Sequence, residues 1–284
     1  MGRQRGAALL VALLAVALAA VLALELVEQA ARSVARTTQV VETERAWQLA
    51  AGLEAMARDR IRQAQRAGAD AALLDGQWTE TFPVPGGWVR ARLFDLGGRF
   101  NLNALAASDP ADVARARRAL AELLRLLGLA PELGERIASL YRPGPDGRRI
   151  GLAHISELER HAWFDARVRE RLQPYIATLP DPAAPLNLNR ASPEVLAALL
   201  DGLSADAART LLARGPFESM DAALAAPELA ALNTPALRTR LAVDSDWFLA
   251  QAQVELDGRV RDYFRLIGLA SSRYDARYLS LGVP

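Results

Sequence analysis

The feature that most constrains the fold of this chain is an apolar run near its start. Residues 7–24 are all apolar and contain no charged residue, glycine or proline. As a helix this run would be about 27 Å long, which is close to the hydrocarbon thickness of a bilayer. Arg3 and Arg5 precede it, and positive charge before a span favours a cytoplasmic N-terminus. The sequence therefore predicts a membrane-spanning segment at 7–24, with the bulk of the chain across the membrane.

Three interpretations of this N-terminus compete: a cleaved secretory signal, a plain signal anchor, and a prepilin-type leader. In the third, the basic stub 1–6 ends at Gly6, cleavage falls before Ala7, and the apolar helix stays in the mature protein. The sequence beyond the membrane favours this third reading, because no glycine or proline interrupts residues 7–51. Apolar residues also continue at helical steps of three and four beyond Glu25. This predicted stripe consists of Val27, Ala31, Val34, Thr38 and Val41, and then, after a step of five, of Ala46, Leu49, Leu53 and Met56.

A small α+β unit is predicted from the two ends of the remaining chain. Residues 25–102 supply the rest of the long helix, expected to end near Leu74, and a first strand at 87–95. Residues 243–284 supply a second strand at 247–256, a turn at Asp257 and Gly258, and a return strand at 260–267. Each strand alternates apolar and polar side chains. The predicted fold is therefore a long helix packed on a small antiparallel sheet.

The residues between these strands read as a large helical insertion at 103–242. Its patterns predict two subdomains, at about 103–180 and 187–242, joined by a proline-rich linker at 178–185. The first holds predicted helices at 110–127, 131–141, around 155–160, and at 165–177. The second resembles a helix-hairpin-helix, with Gly202 in its turn. The insertion thus divides the sheet of the small unit.

Two Asn-Leu-Asn triplets precede the two helical subdomains. Asn101 and Asn103 belong to the first triplet, and Asn187 and Asn189 belong to the second. Ser192 follows the second triplet and is a favourable N-cap, because Pro193 suits the first turn of a helix. We interpret these side chains as structural caps of backbone groups rather than as ligands for a bound molecule.

Composition excludes several function classes. The absence of cysteine excludes disulfide scaffolds, cysteine zinc sites and thiol catalysis. Residues 187–243 hold five arginines and six acidic residues, and this net charge of −1 disfavours nucleic acid. His154 and His161 lack acidic neighbours at metal-ligand spacing, Asp244 and Asp246 read as a turn, and no catalytic motif occurs. We expect no enzyme activity, metal or cofactor.

These features together resemble the type II secretion minor pseudopilin K (GspK) family over nearly the whole chain. The similarity rests on the prepilin-like N-terminus, the interrupted helix-and-sheet unit, and the stretch that begins Asn187-Leu188-Asn189-Arg190-Ala191-Ser192. It implies a single-pass inner-membrane protein with its bulk in the periplasm, matured by prepilin peptidase. Implied partners are minor pseudopilins I and J and other pseudopilins at the pseudopilus tip, with secreted substrates as further partners. Nucleic acid is not among them.

Two departures from the family pattern matter. Family members often carry an acidic calcium-linked stretch, but the matching residues 138–149 keep only Asp146 and add arginines. Since calcium needs six to eight oxygen ligands, we do not carry that site over. Ala7 also replaces the phenylalanine that is common at the first mature position, which makes N-methylation a weaker expectation.

A position at the tip of a filament is predicted from the first mature residues. Most pilin-like subunits have glutamate at the fifth mature position, where this chain has Val11, and no acid occurs before Glu25. We expect contacts with partner subunits to involve Val27, Ala31, Val34 and Val41. The alternatives are a membrane-anchored DNA-binding protein of the competence type, based on the helix-hairpin-helix, and a periplasmic hydrolase.

Overall fold

The computed structural model describes residues 3–67, 76–144, 147, 149–230, 232, 235–269 and 279–281. The side chains of residues 3–23, 35, 54, 64–67, 235–236 and 279–281 lie outside this description. The leader and nearly all of the predicted membrane segment therefore fall outside the described side chains, and the expected helix end near Leu74 falls outside the described residues. Within the described part of the chain, no helix has both the length and the hydropathy that a membrane crossing requires.

The first elements are one long helix and two strands. Helix α1 has the bounds Arg3–Ala67, and strands β1 and β2 have the bounds Phe82–Val84 and Gly87–Asp95. Alanine, leucine, glutamine, glutamate and arginine dominate α1, and all of them favour a helix. Strand β2 matches the predicted strand at both ends, because its alternating side chains suit a sheet with two different faces.

The insertion follows β2 and contains short helices and very short strands. In chain order these are β3 (Phe100–Asn101), α2 (Pro110–Leu126), α3 (Glu132–Ala138), α4 (Ala166–Leu172), β4 (Ile176–Ala177), β5 (Leu186–Asn187), α5 (Pro193–Leu199), α6 (Ala205–Leu212), α7 (Met220–Leu224), α8 (Pro227–Ala230), α9 (Pro235–Arg240) and β6 (Leu241–Ala242). The 3-10 helices are Leu102–Ala106, Ile155–Arg160 and Gln173–Tyr175.

The chain then returns to the sheet with its last strands. These are β7 (Trp247–Leu256), β8 (Arg259–Gly268) and β9 (Leu279–Leu281). The five-stranded antiparallel sheet has the order β1-β2-β7-β8-β9, so β2 and β7 are neighbours although the whole insertion separates them in sequence. Ala91 pairs with Ala252 at the middle of this contact. The three predicted strands are confirmed, and β1 and β9 are two short edge strands that the pattern did not predict.

Helix α1 covers one face of the sheet through small and branched side chains. The buried residues of the helix recur at steps of four and three, and they are Ala46, Ala50, Leu53, Ala57 and Ile61. They pack against Val89, Leu93, Phe248 and Val254 in two neighbouring clusters. The predicted stripe is wrong at its end, because Met56 is 52% exposed. Ala57 and Ile61 continue the buried face instead, since the sheet lies on that side of the helix.

The insertion is not wholly helical, which corrects the prediction of an all-α domain. Strand β3 pairs with β4, and β5 pairs with β6, each as a two-stranded parallel ladder. The helix expected at 165–177 ends at Leu172, and Pro174 follows in a 3-10 turn before β4. Proline has no N–H to donate and restricts the residue before it, so the helix stops there. The predicted helix at 131–141 is likewise shorter, because α3 ends at Ala138.

Candidate functional site

The first Asn-Leu-Asn triplet joins the start of the insertion to segments far along the chain. The side-chain oxygen of Asn101 accepts hydrogen bonds from the backbone N–H groups of Asn103 and Leu179, at 3.0 Å each. The side-chain amide of Asn101 donates to the carbonyl of Asp181 at 2.8 Å. Asn101, at the end of β3, therefore connects the start of the insertion to the linker that follows the first helical subdomain.

Asn103 is the more deeply buried of the two asparagines in this triplet, at 3% exposure. Its oxygen accepts from the N–H of Leu152 at 2.8 Å and from the Tyr141 hydroxyl at 3.3 Å. Its amide donates to the carbonyls of Leu152 and Leu179, at 2.9 Å each. One side chain thus pairs with both backbone groups of Leu152, as a neighbouring strand would.

The second triplet repeats this arrangement. The oxygen of Asn189 accepts from the N–H of Phe217 at 2.7 Å, and its amide donates to the carbonyls of Phe217 and Val243, at 2.9 Å each. Asn187 accepts from the N–H of Asn189 and donates to the Ser245 hydroxyl. The four asparagines all bind backbone or side-chain groups of this chain, and Ser192 accepts from the N–H of Val195 at the start of α5.

The two helical subdomains share a sequence of local structures beyond their triplets. Each first helix starts with a capping residue followed by proline, at Asp109 and at Ser192. After that helix each subdomain has a glycine with positive φ, Gly128 at 61° and Gly202 at 91°. In the first subdomain Asn103 binds Leu152, and His154, two positions later, caps a short helix. In the second subdomain Asn189 binds Phe217, and Ser219, two positions later, caps a short helix. The second triplet therefore opens a structural repeat of the first subdomain.

A partly buried ion pair lies where the insertion meets the sheet. The Asp95 carboxylate, at the end of β2, faces Arg190 at 3.4 Å and accepts from the N–H of Gly97 at 2.7 Å. Burial raises the pKa of Asp95, although hydrogen bonds from Ser245 and Gly97 and the charge of Arg190 oppose that shift. A side chain at Gly98 would collide with the carbonyl of Arg190. This close contact holds the second triplet against the sheet.

The predicted assembly stripe on α1 lies above the sheet and is open to solvent. Val27 and Val34 are each 66% exposed and Val41 is 60% exposed. Glu25 and Ala31 are also exposed. Leu24, Leu26 and Val40 add further exposed apolar side chains to this half of the helix. The processing residues Gly6 and Ala7, and Val11, lie outside the described side chains.

An aromatic and arginine ladder on the outer face of the sheet was not predicted from the sequence. The Arg90 guanidinium lies 4.3 Å from the ring centre of Trp78, and that of Arg92 lies 4.4 Å from the same ring. Arg90 and Arg92 also donate to Gln253 and Gln251 on β7. The only signal in the sequence is that both arginines lie on one face of β2. The ladder stabilises the segment that precedes β1.

Four of the five arginines in the helix-hairpin-helix segment, residues 187–243, form ion pairs within the chain. Ion pairs join Arg209 to Asp206, Arg214 to Glu228, and Arg238 to Asp221. Arg190 faces Asp95, as described above. A phosphate backbone would have to compete with these acidic partners for the arginines.

The described residues contain no group of three side chains that could hold a metal ion. Asp244 and Asp246 flank Ser245, whose hydroxyl is buried and binds Asn187. Burial raises the pKa of Asp246, and the charge of Asp244 adds to the shift. Asp146, the remaining acid of the calcium-linked stretch, lies outside the described residues. His154 caps a 3-10 helix, and His161 stacks on Trp163 at 5.1 Å.

Comparisons with known proteins identify related chains. The family model of the type II secretion system (T2SS), protein K, matches residues 186–244. The type II secretion system protein K of Klebsiella pneumoniae is 30% identical over 288 residues, which cover 89% of this chain and 88% of that protein. The protein of the same name from Pectobacterium carotovorum subsp. carotovorum is 26% identical over 89% of both chains.

A solved structure shares the fold. It belongs to the GspK-GspI-GspJ complex of the type 2 secretion system from enterotoxigenic Escherichia coli. The alignment has a TM-score of 0.63 with 24% sequence identity, and it covers 88% of this chain and all of that one. This likeness confirms the mixed helix-and-sheet class and the antiparallel sheet that the sequence predicts.

Proposed function

The chain belongs to the family of type II secretion system protein K, and we propose from this that it is a minor pseudopilin at the tip of the type II secretion pseudopilus. There it takes part in the export of folded proteins across the outer membrane. The observation that carries the proposal is the match to a family member at 30% identity over 89% of the chain. Its role is structural, and it needs no catalytic residue, metal or cofactor.

In this proposal the chain consists of two domains. Residues 25–102 and 243–284 form the pseudopilin unit, in which α1 lies on the sheet, and residues 103–242 form the inserted domain. The contact between β2 and β7 supports this division, because the chain leaves the sheet and returns beside its point of departure. The four asparagines hold separate segments of the inserted domain together through hydrogen bonds.

The partners are minor pseudopilins I and J, and the exposed valines of α1 form the contact surface. The solved relative is named as part of a complex with proteins I and J. Val27, Val34 and Val41 follow one another at intervals of seven residues, which places them along one side of the helix. Burying such side chains against another helix removes apolar surface from water, which favours association.

The N-terminus anchors the chain in the inner membrane before assembly. Prepilin peptidase cleaves between Gly6 and Ala7, and residues 7–24 then remain as the membrane-spanning helix, with the bulk of the chain in the periplasm. The basic stub before an unbroken apolar run supports this proposal. N-terminal sequencing of the mature protein tests it, and a mature start beyond Ala19 would contradict it, because the membrane helix would be lost.

Reconstitution with purified I and J pseudopilins tests the function directly. We expect the full chain in detergent to elute with both partners, and Val34→Asp to weaken that complex at least about tenfold, since a charge would be buried in the contact. Val40→Asp is the matched control, because Val40 is 67% exposed on another side of the helix and should leave assembly unchanged. Equal loss with both variants would contradict the valine surface. Failure of wild-type chain to bind I and J would contradict the function.

The competence-type alternative is not favoured. Its case depends on a basic helix-hairpin-helix, and four of the five arginines of that segment form ion pairs with acidic residues of this chain.

A further inference from the structure

Gly52 is a glycine in the middle of α1 for which the contacts of the chain itself give no reason. Glycine lowers the stability of a helix relative to alanine, because it has more backbone freedom to lose on folding. A side chain would have room here, since a Cβ atom built on Gly52 meets no other group of the described residues within 4 Å. Gly52 is also exposed. It therefore leaves the helix backbone open to close approach from outside.

Gly52 lies on the side of α1 that is turned toward the edge strand β1. Arg45, seven residues earlier, marks this side, because its guanidinium donates to the carbonyl of Pro85 in the turn between β1 and β2. Leu49 and Met56 follow Arg45 at intervals of four and eleven residues, which places them on the same side of the helix. Leu49 packs against the buried cluster under the helix, but Met56 is 52% exposed. Apolar surface thus stays uncovered along this side of α1.

Strand β1 supplies further apolar surface beside the helix. Phe82 pairs directly with Val89, whose side chain packs against α1, so Phe82 also points to the helix side of the sheet. Phe82 is nevertheless 40% exposed. Val84, two residues on, is partly buried against the same cluster. The surface formed by these neighbouring residues of α1 and β1 is called the edge surface, and it consists of Leu49, Gly52, Met56, Phe82 and Val84.

The open edge of β1 favours a helix over an extended strand as the occupant of this surface. In a hairpin with a two-residue turn the flanking pair, here Val84 and Gly87, exchanges backbone hydrogen bonds. The N atom of Pro83, in the next pair, then points away from β2, and it has no hydrogen to donate to a further strand. A docked segment has to satisfy its own backbone groups, as a helix does.

We propose that the edge surface receives the apolar helix of a neighbouring pseudopilin, which comes closest to α1 at Gly52 and covers Met56 and Phe82. The inference rests on the proposed function and adds the side of the sheet unit that the partner covers. It continues the proposed contact of the exposed valines, because Gly52 is 18 residues beyond Val34, which is about five turns of α-helix. Small residues at such a contact let two helix backbones approach closely.

Complex formation with purified I and J pseudopilins, measured on the full chain in detergent, tests the edge surface. We expect Gly52→Leu to weaken the complex at least about tenfold, because the added side chain separates the two helices. Gly52→Ala should raise the melting temperature of the isolated chain by about 1–3 °C and still weaken the complex. A glycine without a role in assembly would not move these two measurements in opposite directions.

The matched control is Ala51→Leu, which adds the same side chain about 100° round the helix, on the side away from β1. It should leave the affinity for I and J within about twofold of wild type. Phe82→Ala tests the other side of the edge surface and should weaken the complex at least about threefold, because it removes apolar area that the partner covers. Pro83→Val should leave the affinity unchanged, and tighter binding would show an added strand and overturn the helix.

The results separate this inference from the function on which it rests. Wild-type chain that does not bind I and J would contradict the proposed function, and the inference with it. Wild-type chain that binds them while Gly52→Leu binds as tightly, or while Ala51→Leu loses as much, would contradict the edge surface alone. Thermal unfolding checks that each variant folds, and Phe82→Ala keeps the proposal testable if Gly52→Leu does not fold.

Discussion

At the scale of single residues, carboxamide side chains connect segments that helices and strands leave apart. Asn103 and Asn189 each bind both backbone groups of one distant residue, Leu152 or Phe217. An amide suits this role because it carries a donor group and an acceptor in one plane, as a peptide bond does. Aspartate would lose the donors and leucine would lose both, so the residue type follows from the geometry.

Replacing Asn103 with leucine should destabilise the first helical subdomain strongly. The change leaves the partly buried N–H and carbonyl of Leu152 and the buried carbonyl of Leu179 without their side-chain partner. We expect the free energy of unfolding to fall by about 3–5 kcal/mol, measured by urea unfolding followed by circular dichroism. Gln48→Ala is the control, because Gln48 is exposed and should change stability by less than about 0.5 kcal/mol. A loss for Asn103→Leu no larger than that of the control would contradict the role given to this amide.

His154 should make the first subdomain sensitive to mild acid. Its ring nitrogen accepts from the N–H of Ser156, which requires a neutral ring, and burial lowers the pKa of His154 against the opposing charges of Glu157 and Glu159. Because the folded pKa is below the unfolded one, the unfolded chain binds the proton first as pH falls. Stability is therefore complete above about pH 6.5 and falls as the pH drops below it.

The variant His154→Ser tests this pH dependence. Serine occupies the corresponding capping position at Ser219 in the second subdomain, so the cap should survive while the titrating group is lost. We expect wild type to lose stability relative to His154→Ser as the pH falls below about 6.5, in melting temperatures measured side by side. Parallel pH profiles for the two proteins would refute the prediction.

At the scale of elements, α1 has two separate faces with different tasks. Ala46, Ala50 and Ala57 let the helix approach the sheet closely, and Ile61 fills the space above Leu93 and Phe248. The valines at 27, 34 and 41 lie further up the helix and contact no buried cluster of the described residues. Stability should therefore depend on the first face only.

Two substitutions by alanine on α1 measure this difference in stability between the two faces. Ile61→Ala should lower the free energy of unfolding by about 2–5 kcal/mol, because Ile61 is fully buried and its loss leaves a cavity. Val34→Ala should change it by less than about 0.5 kcal/mol, because Val34 is 66% exposed. Urea unfolding of the isolated chain in detergent separates the two. Similar losses in the free energy of unfolding would mean that the part of α1 around Val34 is already packed in the monomer.

Elements with a strong local signal could be predicted from the sequence, and those fixed by distant contacts could not. Strands β2, β7 and β8 alternate over nine or ten residues each, and the cap at Asp109 precedes a proline. Strands β3 to β6 have two residues each, so no period can appear in them. They form because Asn101 and Asn187 hold the ends of each subdomain together.

At the scale of the whole molecule, the insertion changes how the chain can pack. Residues 103–242 are added between β2 and β7, at one end of a sheet that a single helix covers on one face. A filament of repeated subunits packs its helices closely, and an insertion of this size on every subunit would collide with its neighbours. This favours a terminal position over a repeating one.

With the proposed cleavage before Ala7, the first mature residues lead to the same position and give the last prediction. In a filament core of low dielectric constant, an amine without a carboxylate partner costs several kcal/mol. Val11 would then be the fifth mature residue and could not supply that carboxylate to the amine of a following subunit, so nothing should stack above it. We therefore expect sheared pseudopili to contain this chain at no more than about one copy per filament end, far below the major subunit, as measured by quantitative mass spectrometry. Because filament length dilutes a terminal subunit, its ratio to the major subunit should fall as the filaments lengthen. A constant ratio near one would mean that the chain repeats along the filament and that neither the insertion nor Val11 prevents stacking.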